Sequence, residues 1–177
     1  MPHQLTILQA RSPRELAIAA DLFREYARSL PFPLDYQGFE EELASLPGKY
    51  APPAGVILIA THAAEPVGCI AMRHLDPMPG DPTPVCEMKR MYVRPTARGL
   101  GLGRLLATTL LDHARAAGYT MMKLDSEATF TPALTLYRSL GFSDCPDYNN
   151  DPMPNTVWMC KILSEPPAPA GGCRWVQ

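Results

Sequence analysis

Three glycines spaced two residues apart, with an arginine on either side, form the stretch of this sequence best suited to bind an anion. The segment reads Arg98-Gly99-Leu100-Gly101-Leu102-Gly103-Arg104 and stands where a strand pattern ends and a helix pattern begins. Glycine lets the backbone approach a ligand closely, and the first turn of a helix carries about four unpaired N–H groups and a partial positive charge. The spacing therefore predicts a phosphate or diphosphate site with guanidinium groups at its edge.

A glycine-rich turn of this kind is compatible with three structures: a turn that only eases packing, a dinucleotide site and a coenzyme A site. The dinucleotide fingerprint needs Gly-x-Gly-x-x-Gly early in a βαβ unit, with an acidic residue about twenty positions later. Gly99, Gly101 and Gly103 have a different spacing and follow several strands, although Asp125 lies near the expected distance. An NAD(P)-dependent oxidoreductase therefore stays open as an alternative.

The elements that position this loop are predicted from the periodicity of apolar residues. Helices are expected from Ser12-Pro13, from Asp35 to Pro47-Gly48, from Leu102 to Gly118 and from Pro132 to Gly141, at cap, proline and glycine signals. Strands are expected at 4–9, 55–61, 67–75, 85–93, 119–125 and 156–163. Alternating strands and helices in the C-terminal half predict crossovers and partly parallel pairing, hence an α/β fold.

Composition excludes several other classes of protein. The length of 177 residues favours one domain, predicted over residues 1–163, followed by a tail at 164–177 rich in Pro, Ala and Gly. A net charge of -2 gives no footprint for nucleic acid. The longest apolar stretch, 55–60, is far shorter than the roughly 20 residues of a membrane span, so the protein is expected to be cytoplasmic. Five scattered cysteines without a histidine at ligand spacing predict no metal site.

Two motifs in the expected order resemble those of the GCN5-related N-acetyltransferase (GNAT) family. The first motif is Lys89-Arg90-Met91-Tyr92-Val93 followed by Arg98-x-x-Gly101-x-Gly103, and the second is ALTLYRSLGF at 133–142. The resemblance spans roughly residues 4–163 and implies a mixed sheet of about seven strands, splayed between the fourth and fifth, with about four flanking helices. The segment LPGKYAPP at 46–53 also resembles one bacterial subgroup of the family.

The resemblance further implies that acetyl-CoA is the co-substrate, with its pantetheine arm inserted beside strand 85–93 like an additional strand. The implied coenzyme-binding residues are Met91, Tyr92, Val93, Arg98, Gly99, Leu100, Gly101, Leu102, Gly103, Arg104 and Arg138. The backbone of Met91 and Val93 would pair with pantetheine, and a bulge there could direct an N–H at the thioester carbonyl. Phe130 stands where the family often has an asparagine, which removes one polar contact to the coenzyme.

Two side chains are candidates for proton transfer. Tyr137 matches the position of the family's general acid, and its alternative role is simple packing in the core. Glu87 matches a position where many relatives carry a general base, and period-two alternation places it on the same side as Lys89 and Met91. Its alternative role is an ion pair with Lys89 or Arg90, in which case a chain of waters would serve as the base.

The acceptor is expected to bind near residues 144–155. This loop combines Tyr148, Asn149 and Asn150 with acidic residues, a set that suits a cationic amine, although an ordinary turn-rich loop has a similar composition. Three aromatic residues of the N-terminal half could form the opposite wall, namely Tyr26, Phe32 and Tyr36.

Taken together, the sequence predicts an acetyl-CoA-dependent N-acetyltransferase that acts on a primary amine of a small molecule or on an amino group of a peptide or protein. Transfer would be direct, without a covalent enzyme intermediate, in a monomer or a homodimer. The alternative is a catalytically silent acyl-CoA-binding sensor or interaction module, but the presence of both Glu87 and Tyr137 favours an enzyme.

Overall fold

Apolar alternation and helical periodicity produce seven strands and four α-helices in the computed structural model, which describes residues 5–163. The strands are β1 (Leu5–Gln9), β2 (Val56–His62), β3 (Glu65–Leu75), β4 (Val85–Val93), β5 (Met121–Glu127), β6 (Ser143–Asp144) and β7 (Thr156–Ile162). The helices are α1 (Pro13–Ser29), α2 (Phe39–Ala44), α3 (Leu102–Ala116) and α4 (Thr131–Ser139). The short β6 was not expected from the sequence. The predicted tail at 164–177 lies outside the described residues, so the domain boundary stays a prediction.

The first two helices differ in how well their predicted limits hold. The capping box at the start of α1 is confirmed, because Ser12 Oγ accepts from the Glu15 amide at 3.3 Å and the Glu15 carboxylate accepts from the Ser12 amide at 2.8 Å. The helix predicted from Asp35 is wrong in extent, because Gly38 takes a left-handed φ of 68°. This glycine separates a single 3-10 turn from the short α2.

The sheet has the order β1-β2-β3-β4-β5-β7-β6, with β4 and β5 parallel and every other neighbouring pair antiparallel. Strands β4 and β5 pair only from Val85↔Met121 to Glu87↔Lys123, at the start of both strands. Beyond these residues the two strands diverge, which confirms the predicted splay and leaves a gap in the middle of the sheet. The mixed α/β architecture predicted from the sequence is therefore confirmed.

Hydrophobic side chains from alternate strand positions pack on the two faces of the sheet. On one face, Leu106 and Leu110 of α3 belong to the same buried cluster as Leu58 of β2. On the other face, Phe23 of α1 packs with Ile57. Both faces of the sheet are thus covered by packed hydrophobic side chains.

A β-bulge interrupts β4 where the gap opens. The pairing with β3 skips one residue, so that Arg90 and Met91 together lie opposite Ile70, and Arg90 has a left-handed φ of 58°. The additional residue reverses the side-chain alternation. Met91 consequently packs against the core beneath α3, whereas Glu87 and Lys89 lie on the opposite face. The expectation that all three share one side is wrong, because period two fails across a bulge.

Candidate active site

The N-terminal end of α3 is open to a ligand, as the glycine spacing predicts. Gly101 precedes the first helical residue with a left-handed φ of 78°, and no side chain caps the helix. A Cβ atom added to Gly99 or Gly101 would meet no atom within 4 Å. The first amides of α3 therefore face free space, which is the arrangement that binds anions at helix ends.

A groove of about 660 Å³ runs from this helix end to the gap between β4 and β5. Nine residues implied as coenzyme-binding line it, namely Met91, Tyr92, Val93, Arg98, Gly99, Gly101, Leu102, Gly103 and Arg104. Arg98 Nε donates to the Val93 carbonyl at 3.2 Å, and Arg104 Nη2 donates to Ser139 Oγ at 2.8 Å. Each guanidinium thus keeps further N–H groups for a phosphate.

Two other residues implied as coenzyme-binding do not line the groove. Leu100 is 43% exposed, and Arg138 lies on the surface, where its Nη2 is 3.4 Å from a carboxylate oxygen of Asp144. Both positions lie within the two motifs, but Leu100 lies in the exposed turn before α3 and Arg138 on the exposed face of α4.

Tyr137 of α4 reaches the gap in the sheet from the α3 side. The residue is 6% exposed, and its hydroxyl donates to Met91 Sδ at 3.3 Å. Its ring also packs edge-on against Phe142, with centroids 6.0 Å apart. Burial raises the pKa of Tyr137 above the ordinary value of a phenol, so the hydroxyl is protonated at neutral pH. Tyr137 can therefore pack in the core and still lie where a proton donor is required.

An inner chamber of about 90 Å³ adjoins the groove at the gap in the sheet. The residues that line both spaces are Tyr26, Met91, Phe130, Ala133 and Tyr137. The three aromatic residues proposed as a wall, Tyr26, Phe32 and Tyr36, all line this chamber. The groove and the chamber therefore meet at Tyr137.

Three carboxylates line the inner chamber, and Asp125 is the most strongly bound of them. Its Oδ1 accepts from Lys89 Nζ at 3.2 Å, and its Oδ2 accepts from Asn149 Nδ2 at 2.7 Å. Burial opposes its ionisation, but the charge of Lys89 and these hydrogen bonds outweigh burial and lower the pKa of Asp125. Asp125 is thus a stabilised anion with little capacity to accept a proton.

Glu127 is the least bound carboxylate of the chamber. It is 8% exposed, yet its side chain forms no hydrogen bond or ion pair with any residue of the described range 5–163. The sequence reasoning missed this residue. Its signal was the period-two series Lys123, Asp125, Glu127, which places three charged residues on one side of a buried strand.

Glu87 occupies a different environment from the one that a general base requires. It is fully buried, and its Oε2 accepts from Arg73 Nε at 2.7 Å while its Oε1 accepts from the Tyr148 hydroxyl at 3.0 Å. Lys89 Nζ lies 3.6 Å from the same carboxylate. Glu87 lines neither the groove nor the chamber, so its contacts favour the alternative role in an ion pair.

An outer cavity of about 470 Å³ continues from the chamber towards solvent. The residues that line both spaces are Tyr36, Gln37, Lys89, Arg90 and Asp151. Asn149 and Asn150, expected at the acceptor site, also line the outer cavity. Tyr148 does not, because its hydroxyl is bound to Glu87 and its ring lies beneath Lys123 Nζ, 5.4 Å from the centroid.

Arg90 holds the bulge in place from the α2 side. Its Nε and Nη2 donate to the two carboxylate oxygens of Glu42 at 2.7 and 3.0 Å, and its Nη1 donates to Gln37 at 3.0 Å. The guanidinium also lies 5.2 Å from the centroid of the Phe39 ring. A left-handed non-glycine residue is strained, and these contacts from a separate element stabilise it.

The described part of the chain has neither a candidate metal site nor a candidate membrane-spanning helix. No group of three or more His, Cys, Asp or Glu side chains in residues 5–163 is arranged to hold a metal ion. Within the same range, no helix has the length and apolar content needed to cross a bilayer.

Comparison with known proteins gives consistent results for fold and sequence. Residues 19–142 match the family model described as Acetyltransferase (GNAT) family. An uncharacterised N-acetyltransferase of Schizosaccharomyces pombe is 38% identical over 165 residues, covering 93% of this chain and 98% of that protein. One of Dictyostelium discoideum is 28% identical over 196 residues, covering 80% and 91%. The solved structure of a Salmonella typhimurium acetyltransferase with its cofactor acetyl-CoA has a TM-score of 0.72 at 20% identity, covering 94% and 98%.

Proposed function

This chain belongs to the GNAT acetyltransferase family, and from that premise we propose that it transfers the acetyl group of acetyl-CoA directly to a primary amine. The family resemblance seen in the sequence is thereby confirmed, and the protein is an acyltransferase. One observation carries the proposal for this chain: a groove that starts at the uncapped end of α3 meets a chamber lined by carboxylates, and Tyr137 stands at the junction.

The diphosphate of the coenzyme would bind at the start of α3. The free amides there and the partial positive charge of the helix end favour a dianion, and Arg98 and Arg104 add charge-assisted hydrogen bonds. The positive φ of Gly99 and Gly101 supports this assignment, because a side chain at either position would both strain the turn and occupy the ligand's space.

The thioester would lie beside the bulge in β4. Past Glu87, strand β4 has no partner on the β5 side among residues 5–163, so the amides of pantetheine can pair with Met91 and Val93. The bulge at Arg90 redirects the local backbone and can direct an N–H at the thioester carbonyl. One such donor to the developing oxyanion contributes about 3 kcal/mol to transition-state stabilisation.

The proton transfers can be assigned to two side chains. The amine nitrogen attacks the carbonyl carbon, a C–N bond forms, the C–S bond breaks, and the sulfur leaves as a thiolate. We assign the base to Glu127 rather than Glu87, because only Glu127 lines the chamber with its oxygens unpaired among residues 5–163. The hydroxyl of Tyr137 then donates to the departing sulfur.

Replacement of Tyr137 by phenylalanine tests the proposal. Phenylalanine preserves the packing against Phe142 but removes the hydroxyl, so we expect kcat to fall about 100-fold. The Kd for acetyl-CoA should stay within about threefold, because the groove is unchanged. Turnover is measured by release of the coenzyme thiol with a panel of primary amines, and Kd by calorimetry.

A matched control is Tyr119→Phe, which removes another buried hydroxyl, bound to the Ala54 carbonyl at 2.7 Å outside the three cavities. This variant should retain wild-type kcat. Unchanged turnover in Tyr137→Phe would remove Tyr137 from the role of acid. A wild-type protein that binds acetyl-CoA but acetylates no amine in the panel would instead support the silent acyl-CoA sensor.

A further inference from the structure

Charged side chains line much of the outer cavity. Four cationic residues line it, namely Lys49, Arg73, Lys89 and Arg90, together with the acidic residues Glu42 and Asp151. A charged group in a cavity is neutralised by a protein partner, by solvent or by a ligand. The pairing of each group therefore indicates which charges are available to an acceptor.

Three of the four cations are already paired with carboxylates. The pairs are Arg90–Glu42 at 2.7 Å, Arg73–Glu87 at 2.7 Å and Lys89–Asp125 at 3.2 Å. Lys49 is exposed and has no ion pair or side-chain hydrogen bond within residues 5–163. Arg73 uses Nε and Nη2 on Glu87, so its Nη1 is also available. The outer cavity thus presents an unpaired positive charge.

The unpaired negative charges lie at the other end of the path, next to the chamber. Asp151 lines both the chamber and the outer cavity, and its hydrogen bonds come only from neutral groups, including the Tyr36 hydroxyl at 3.2 Å. Glu127 lies in the chamber without a partner in the described range. The unpaired charges therefore change sign along the path, from Glu127 in the chamber and Asp151 where the chamber meets the outer cavity to Lys49 in the outer cavity.

Lys49 is held at the cavity by the segment 46–53 noted in the sequence. It lies in a 3-10 turn, Gly48–Tyr50, and the next residue, Tyr50, is 1% exposed in the core beneath α1. Tyr50 also packs edge-on against Phe23, with centroids 6.0 Å apart. The backbone of Lys49 is thus anchored, while its side chain remains free to reach an anion.

We infer, on the basis of the proposed function, that the acceptor is a small amine that also carries an anionic group, in the simplest case the carboxylate of an amino acid. Its ammonium group enters the chamber beside Asp151 and Glu127, and its anionic group binds Lys49 and Nη1 of Arg73. A cavity of about 470 Å³ suits a small molecule of this kind. Complementary charges at both ends select such a molecule over a plain amine.

The inference is tested with pairs of acceptors that differ only in the anionic group. Wild-type enzyme and acetyl-CoA are assayed by thiol release with glycine and glycinamide, β-alanine and its amide, 4-aminobutyrate and its amide, and 2-aminoethyl phosphate and ethanolamine. We expect kcat/KM to be at least about tenfold higher for the anionic member of one or more pairs, mainly through KM. The phosphate pair distinguishes a phosphate from a carboxylate as the preferred anion.

Lys49→Met should remove this preference. KM for the preferred anionic acceptor should rise about tenfold, while KM for its uncharged partner stays within about twofold. Lys49→Arg should keep most of the preference, since the positive charge remains. Lys161→Met is the matched control, because Lys161 has no ion pair in the described range and lines none of the three cavities. Thermal melting verifies that each variant is folded.

The outcomes separate this inference from the proposed function. Equal use of the anionic and uncharged members, or acetylation of peptide N-termini alone, would overturn the anionic small-molecule acceptor and leave N-acetyl transfer intact. An equal effect of Lys49→Met on both members of a pair would overturn the assignment of Lys49. Absence of acetylation with every amine would overturn the proposed function and this inference with it.

Discussion

Glu87 and Glu127 illustrate, for single residues, how the partners of a buried carboxylate decide what it can do. Glu87 accepts from Arg73 and Tyr148, so protonating it would break a buried ion pair. Glu127 has no such partner within residues 5–163 and faces the space where an ammonium group would enter. A proton acceptor needs a free lone pair within reach of the substrate, and Glu127 alone of the two meets this condition.

Glu127→Gln should therefore lower kcat about 100-fold near neutral pH, because the amide cannot accept the proton of the amine. The loss should become smaller as pH rises, since a larger fraction of the acceptor is already deprotonated in solution. The pH profile of kcat/KM for wild type and variant, measured by thiol release, provides the test. A variant within about twofold of wild type at neutral pH would contradict the assignment.

Glu87→Gln and Glu40→Gln serve as contrasts to that variant. Glu87→Gln leaves Arg73 without its buried partner and should lower the free energy of unfolding by roughly 3 kcal/mol, measured by urea denaturation. Glu40 is exposed on α2 and lines none of the three cavities, so Glu40→Gln should change neither stability nor kcat. A general base at Glu87 would instead give Glu87→Gln the pH profile expected for Glu127→Gln.

At the element scale, the start of α3 and the bulge of β4 define the two ends of the groove in which we propose that the coenzyme binds. Both use left-handed backbone, at Gly101 with a φ of 78° and at Arg90 with a φ of 58°. Glycine adopts this conformation without strain, whereas Arg90 depends on Glu42 of α2. The short α2 is thus connected to the geometry of β4 although the two are far apart in sequence.

Gly101→Ala should weaken acetyl-CoA binding at least about tenfold and lower the free energy of unfolding by about 1 kcal/mol. The added Cβ meets no protein atom within 4 Å, so the loss of stability comes from the positive φ. Binding is weakened because the methyl group occupies space that the ligand needs. Gly80→Ala is the matched control, with a φ of 91°, equally open surroundings and a position outside the three cavities. Calorimetry should show equal coenzyme affinity in Gly80→Ala and wild type; a loss in both variants would contradict a role specific to Gly101.

At the scale of the whole molecule, three cavities join in one path through the gap between β4 and β5. The groove opens beside α3, the chamber lies at Tyr137, and the outer cavity opens beside Lys49. Each neighbouring pair of cavities shares lining residues. In the proposed reaction, coenzyme and acceptor would approach Tyr137 from different openings, which is compatible with direct transfer between them.

Acetyl-CoA should raise the melting temperature of the protein, because a ligand that binds the native state stabilises it. At about 100 times Kd the gain is about 3 kcal/mol, which corresponds to roughly 5–10 °C for a chain of this size. NADH at the same concentration should give a shift near zero. Thermal shift with both ligands side by side provides the comparison, and stabilisation by NADH alone would return the site to the dinucleotide alternative.

Local chemistry was sufficient to predict most strands and helices and the glycine-rich turn at the start of α3. Strand and helix periods, the cap at Ser12 and the glycines from Gly99 to Gly103 depend on residues near one another in the chain. The backbone preferences of these residues act over a few positions, so they can be predicted from the sequence alone. Nine of the eleven residues implied as coenzyme-binding consequently line the groove, and Leu100 and Arg138, which share its motifs, do not.

Which charged groups are free depends on the folding of the chain and could not be predicted from local sequence. A single additional residue at Arg90 reverses the alternation of β4 and separates Met91 from the face of Glu87. The hydrogen-bond partners of Glu87 and Arg90 come from residues 14 to 61 positions away, and of the contacts of Glu87 only the ion pair with Lys89 could be expected from a local pattern. Glu127 and Lys49 are unpaired within residues 5–163 for the same physical reason. A charge is available to a substrate when no other residue neutralises it, and the folding of the chain determines which residues come within reach.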